Sequence, residues 1–241
     1  MTQHLNSYSQ PVGFPVTDWS PPPLPPREVL TGRYCRLEPL DADRHAAELY
    51  AANTLESDGR GWTYVSYGPF ATAADYRHWV ETYGRREDQH FYAIIDAQSG
   101  KAGGVASYLR MDPAAGSIEV GGIKYTPLIA QRPAATEAMY LMMRQAFALG
   151  YRRYEWKCDT LNGPSRAAAQ RLGFSYEGLF RQAIVYKQRS RDTAWFAILD
   201  HEWPALRAAH EQWLAPENFD AQGRQIVSLS GLTAPLLQAR G

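Results

Sequence analysis

Two stretches of the chain set polar side chains beside backbone that a ligand can reach. In "CDTLNGPSRAAAQRLGF" (158–174), Asn162 and Ser165 flank a Gly-Pro turn between a strand-like run and a short alanine-rich helix. Pro164 suits a first helical turn and Gly173 a left-handed C-terminal stop, so the punctuation predicts strand, turn and helix. An amide and a hydroxyl at such a handover can hold a polar ligand against exposed N–H groups. In "YTPLIAQRPAATEAM" (125–139) a second turn leads through Pro127 to a helix that starts near Pro133–Thr136. A helix start carries unpaired N–H groups and a partial positive charge, and therefore binds anions. Ala134 and Ala135 are small enough for backbone to approach a phosphate, and Arg132 adds charge. Thr136 can cap the helix or meet the phosphate. The same segment also reads simply as a proline-initiated, threonine-capped helix.

Metal and thiol chemistry find less support. The six histidines, at 4, 45, 78, 90, 201 and 210, show no HExxH-type spacing, and Cys35 and Cys158 are too far apart for a metal knuckle. The expectation is no metal, with two reduced, buried thiols in a cytoplasmic protein. Cys158, late in an apolar strand with no histidine nearby, reads as core rather than nucleophile. Lys plus Arg balances Asp plus Glu at 25 each, so no global field favours nucleic acid or an anionic membrane. No apolar run approaches the ~18–20 residues of a membrane span, and no signal peptide opens the chain.

These candidates need elements to position them. Residues 1–29, with "QPVGFPVTDWSPPPLPPRE", read as a proline-rich arm, which Phe14 and Trp19 pin to the body. Strand 33–40 and helix 41–53 follow, then an aromatic loop at 62–70 and a helix at 73–86. Runs 91–96, 102–111 and 117–125 alternate and are separated by turn-like "AQSG" and "DPAAG", so an antiparallel meander is expected. Helix 136–150, strand 151–158, the quoted turn and helix, and strands 174–187 and 193–200 complete a domain over 30–200. A C-terminal helix at 201–214 and a polar tail to 241 form an extension. The order is α+β (mixed α/β), with one crossover through 136–150.

This order, "QRPAAT" before helix 136–150, and above all N162-x-x-S165-x-x-x-A169-x-x-x-G173-F174 followed by "YEGLFRQ", resemble the GCN5-related N-acetyltransferases (GNAT), and within them the RimJ/RimL-like branch. The likeness covers roughly 30–200. The phosphate loop departs from the family's Gln/Arg-x-x-Gly-x-Gly/Ala pattern: both glycine positions are filled, and Pro133 removes one N–H. The resemblance implies a mostly antiparallel sheet of six or seven strands flanked by helices, splayed between 117–125 and 151–158. Acetyl-CoA would insert its pantetheine arm in that gap and rest its diphosphate on the start of helix 136–150. Cofactor contacts would then come from Gln131, Arg132, Ala134, Ala135, Thr136, Asn162 and Ser165.

Acyl transfer to an amine needs a neutral nucleophile, a donor for the oxyanion and a stabilised leaving thiolate. With both substrates held together no covalent enzyme intermediate is required. Glu119, on the strand facing the expected gap, is the candidate base, and a surface carboxylate is its plainer reading. Backbone N–H groups around Gly121–Ile123 are candidate oxyanion donors, because Gly121-Gly122 suits a bulge that loosens sheet pairing. Many family members place a tyrosine acid where this chain has Ala169, which leaves Ser165 as the natural substitute and Tyr186 as second choice. Trp62, Tyr64, Tyr67 and Phe70 are candidates for the acceptor wall or for core. Arg181 could meet a substrate carboxylate or pair with Glu177. The function implied is N-acetyl transfer from acetyl-CoA to a primary amine, on a protein N-terminus or a small molecule. The alternative is a non-catalytic acyl-CoA-binding or protein-interaction module on the same fold. The aromatic arm is a candidate for mediating a homodimer.

Overall fold

Pro11 and Val12 (β2) pair with His4 and Leu5 (β1) in a small hairpin at the head of the arm. The computed structural model describes residues 4–241. Further on, the arm is pinned as expected: Trp19 Nε1 donates to the Ala114 carbonyl at 3.2 Å, and the Arg152 guanidinium lies over the rings of Phe14 and Trp19.

The body is one eight-stranded sheet. Its strands are β3 (Leu30–Thr31), β4 (Cys35–Pro39), β5 (Gln89–Asp96), β6 (Ala102–Asp112), β7 (Ser117–Tyr125), β8 (Arg153–Asp159), β9 (Ser175–Tyr186) and β10 (Arg189–Leu199). The order is β3-β4-β5-β6-β7-β8-β10-β9, and every neighbouring pair is antiparallel except β7 with β8. The extra strand relative to expectation is the two-residue β3. The last hairpin is tighter than expected, because Lys187 and Gln188 both take positive φ and turn the chain in two residues. Strand β10 therefore begins at Arg189.

Alternation along the strands fills two cores. Tyr92, Ile94, Tyr108, Ile118, Tyr154 and Phe196 face α3 (Pro133–Ala148), α4 (Gly163–Leu172) and α5 (Trp203–Leu214). Phe91, Ala93, Ile95 and Val105 face α1 (Ala42–Asn53) and α2 (Ala73–Gly84). Asp41 and Thr72 cap those two helices through their side chains. Residues beyond 214 are no loose tail. Leu229, in α6 (Leu229–Thr233), is buried in the first core, and the Thr233 hydroxyl donates to the Arg171 carbonyl at 3.0 Å. Both cysteines are free and buried.

Two local features shape the region around the β7–β8 pair. Strands β7 and β8 are paired only where Ser117–Val120 meets Arg153–Trp156. Beyond that point β7 bonds to β6 alone and β8 to β10 alone, so the two strands fork. Next to the fork, Val105 pairs with Lys124 and Ser107 with Gly121, which leaves Gly122 and Ile123 opposite Ala106 as a bulge. Gly122 has φ of 60°, a left-handed conformation that side chains disfavour.

One buried histidine ties α5 to α4. His210 is fully buried, with Nε2 2.9 Å from the Leu172 carbonyl, and burial lowers its pKa to about 4. An unfolded histidine titrates near 6.5, so the folded value is depressed. The stabilisation from keeping His210 neutral is fully present above pH ~6.5 and is lost as pH falls through about 4. The loss amounts to roughly 3 kcal/mol. Urea unfolding at stepped pH is expected to show this, with a flatter acid limb for His210→Gln; superimposable limbs would contradict it.

Candidate active site

The fork gives β7 an inner edge, Gly121–Tyr125, that no strand of the sheet covers on the β8 side. Two side chains, one from β6 and one from the loop before α2, hold the bulge open. The Ser107 hydroxyl donates to the Gly121 carbonyl and the Tyr67 hydroxyl to the Gly122 carbonyl, each at 2.8 Å. Backbone oxygens of the bulge are thus satisfied by side chains instead of a neighbouring strand.

Helix α3 starts beside this edge. Arg132 is its N-cap residue with no side-chain cap, and Pro133 occupies the first turn. Ala134, Ala135 and Thr136 are buried, while Gln131 and Arg132 are exposed, with Gln131 at φ of 61°. Thr136 does not cap the helix; its hydroxyl accepts from Arg171 Nη1 at 3.1 Å. Arg171, from α4, is the cation that sequence reasoning missed. Burial lowers its pKa, the mark of a guanidinium held in a poorly solvated place. Only the placing of α3 and α4 over the same core brings it to the helix start, 35 residues away in sequence.

Asn162 and Ser165 lie at the handover from β8 to α4. The Asn162 side chain caps the helix by accepting from the Ser165 N–H at 3.2 Å, and Gly173 ends it at φ of 101°. The Ser165 hydroxyl oxygen accepts from Trp156 Nε1 at 3.0 Å, and its own hydrogen can donate, with the Cys158 sulfur as a neighbouring acceptor. Tyr186 is differently placed. Its hydroxyl donates to Asp159 Oδ2 at 2.8 Å, and burial together with Asp159 raises its pKa to about 12. A phenol so held gives up its proton poorly.

Glu119, the candidate base, stands at the last paired stretch of β7, with Oε2 directed to Lys157, the first residue of β8 past that stretch. Glu119 sits opposite Glu155 in the closed part of the fork and is 3% exposed. Arg110 Nη1 lies 2.8 Å from both its oxygens, and Lys157 Nζ lies 2.9 Å from Oε2. The charges continue across the sheet, Lys157 to Glu155 at 2.7 Å, Arg153 to Glu155 at 2.6 Å and Arg153 to Glu177 at 2.5 Å. Burial opposes the Glu155 charge, but Lys157 and Arg153 outweigh it and hold its pKa below the usual carboxylate range. Six alternating charges therefore join β6, β7, β8 and β9 beneath the fork. Glu177 is taken by Arg153, so Arg181 does not pair with it and stands exposed on β9.

The aromatic segment divides. Tyr67 stacks on Trp79 at 4.4 Å, and Phe70 packs edge-on against Tyr76, so both close the core under α2. Trp62 is buried in the same core, edge-on to Tyr67 and Phe70, and turns one side to the fork beneath Lys124, while Tyr64 lies at the mouth. The Trp62 ring carries Lys124 Nζ 4.9 Å from its centre, Lys124 pairs with Glu56 at 2.7 Å, and the Tyr64 hydroxyl donates to the Leu161 carbonyl at 3.1 Å. The mouth is thereby bounded by the loop between α1 and α2, the end of β8 and the β9–β10 hairpin.

This arrangement has known counterparts. A family model described as "Acetyltransferase (GNAT) domain" matches residues 35–175. A GCN5-related N-acetyltransferase from Brucella melitensis is 50% identical, over 91% of this chain and 100% of its own, with a TM-score of 0.89. A GNAT-family protein from Chromobacterium violaceum is 38% identical, over 81% of this chain and 98% of its own, with a TM-score of 0.76. The RimL ribosomal L7/L12 alpha-N-protein acetyltransferase, at 19% identity over 71% of this chain and 94% of its own, shares the fold at a TM-score of 0.62. A search of curated proteins finds no match. With the family model spanning more than half of its length and the Brucella protein 50% identical over the matched region, the chain belongs to the GNAT acetyltransferase family, whose members use acetyl-CoA, and is an N-acetyltransferase.

Proposed function

We propose that the protein moves acetyl from acetyl-CoA directly to a primary amine in a ternary complex, as a cytoplasmic enzyme of the RimJ/RimL-like branch. The acceptor is a protein N-terminus or a small-molecule amine. The observation that carries this reading is the fork, where an uncovered strand edge lies beside a helix start that has no side-chain cap. An amide-bearing pantetheine can complete that edge as a strand would, and a diphosphate suits the positive end of α3. Gln131, Arg132, Ala134, Ala135 and Thr136 would form the diphosphate seat, and Arg171 stands beside it. Asn162 fixes the α4 turn along the pantetheine path.

In the transfer step the neutral amine attacks the thioester carbonyl, and a backbone N–H in Gly121–Ile123 steadies the oxyanion. The C–S bond then breaks, and the Ser165 hydroxyl protonates or hydrogen-bonds the departing thiolate. Glu119, already engaged by Arg110 and Lys157, braces the fork. The proton of the amine leaves through water at the mouth. Trp62 and Tyr64 line the acceptor side.

The test is release of free thiol from acetyl-CoA with a panel of amines and peptides, with the acetylated product read by mass spectrometry. Turnover is expected, and Ser165→Ala is expected to lower kcat about 10²-fold while largely keeping acetyl-CoA affinity. An unchanged kcat removes Ser165 from the acid role. Acetyl-CoA binding without turnover across the whole panel would favour a binding module instead.

A further inference from the structure

The β9–β10 hairpin carries charge out of proportion to the chain. From Arg181 to Asp192 it holds Arg181, Lys187, Arg189 and Arg191 against Asp192, a formal +3 (four cations less one carboxylate) in a chain whose charges sum to zero. Among the described residues none of these four cations makes an ion pair.

The nearby carboxylates are occupied. Asp192 accepts from the Gln182 N–H at 2.7 Å, Asp159 from the Tyr186 hydroxyl and the Leu161 N–H, and Glu56 from Lys124.

Two of these cations also stand at the mouth. Lys187 Nζ reaches over it to the Trp62 carbonyl at 2.6 Å. Arg191 lies 5.8 Å from the centre of the Tyr186 ring, with Nε on the Thr193 hydroxyl at 3.1 Å. From α4, Arg166 donates to the Thr160 carbonyl at 3.3 Å, and its Nε is buried without a partner. An ammonium held on one neutral carbonyl and guanidiniums with unused donors are under-neutralised, and a carboxylate or phosphate satisfies such groups far better. The diphosphate seat at α3 is a separate feature with its own cation, Arg171.

We propose that the acceptor amine belongs to a molecule that also carries a carboxylate or phosphate group, which Lys187 and Arg191 hold at the mouth while the amine enters the fork. This rests on the reading of the fork as the transfer site.

The experiment is steady-state kinetics of the full chain with matched amines that differ only in the anionic group. The pairs are ω-amino acids with amino alcohols of equal length, aminoalkyl phosphonates with the same alcohols, and peptides with acidic or neutral residues after the N-terminus. The anionic member is expected to have the higher kcat/KM by about tenfold or more, a preference that shrinks as salt rises. Whether carboxylate or phosphonate leads tells which anion is read. Lys187→Met is expected to cut the anionic-to-neutral ratio about tenfold, and Lys101→Met, at a distant exposed lysine, to leave it in place. Neutral amines used equally well, or a ratio unmoved by Lys187→Met, would overturn the proposal. So would a Lys187→Met effect confined to KM for acetyl-CoA, which would assign the hairpin to the cofactor. Failure of every amine to react despite acetyl-CoA binding would instead strike the transferase reading itself.

Discussion

Replacing Gly122 with valine is expected to cost about 4 kcal/mol of stability and to abolish acetyl-CoA turnover. A β-branched residue at φ of 60° is strained by about 1–3 kcal/mol. Its Cβ would also stand 2.8 Å from the Phe91 ring and 3.0 Å from the Ser107 hydroxyl, an overpacking cost of about 1–3 kcal/mol. Against a total stability of about 5–15 kcal/mol the protein keeps only part of its margin. The chain can relieve the strain by erasing the bulge, but a one-residue slip turns every later side chain of β7 to the other face. Lys124 would then leave Glu56, and Tyr125 would leave the Ala135 carbonyl at the start of α3. Urea unfolding and thiol release check both halves. Wild-type stability with wild-type turnover would show that the bulge has no part in the site.

Glu119→Leu is expected to destabilise the fold by about 1.5–3 kcal/mol, because it removes the charged hydrogen bonds that Arg110 and Lys157 make to one carboxylate. Arg110 is left facing solvent, while Lys157, 8% exposed in its side chain, keeps Glu155 and its seat over Trp195, 3.6 Å from the ring centre. Glu119→Gln preserves shape and should lose less. Both changes loosen the closed end of the fork, so KM for acetyl-CoA is expected to rise. The rise of kcat/KM with pH should persist in Glu119→Gln if, as proposed, water at the mouth takes the proton. Loss of that pH limb with stability unchanged would restore Glu119 as the base.

Much of this was legible along the chain because the signals were local. Pro164, Asn162 and Gly173 announce the α4 turn by residue type alone, and Gly121-Gly122 announces a bulge in the same way. The fork was accessible only through resemblance, since a change from paired to unpaired strands has no local signature. What escaped depends on register and on contacts distant in sequence. Glu119 meets Arg110 and Lys157 because β6, β7 and β8 align at one level, and alternation alone could not say which face that would be. Arg171 reaches Thr136 only once α3 and α4 have settled over the same core. Tyr67 and Phe70 have the composition of a binding wall, yet Trp79 and Tyr76 compete for their faces and win. Residues after 214 look polar because only Leu229 and a few neighbours are buried, and few buried residues suffice to dock a short helix.

The most direct test is amide hydrogen exchange of the full chain with and without coenzyme A. Slowed exchange is expected at Gly121–Tyr125 and at the start of α3, residues 131–136, with the hairpin of residues 4–12 unchanged. Unaltered exchange on β7 beyond Val120, under conditions where the ligand is bound, would mean that the fork is not where the thioester lies.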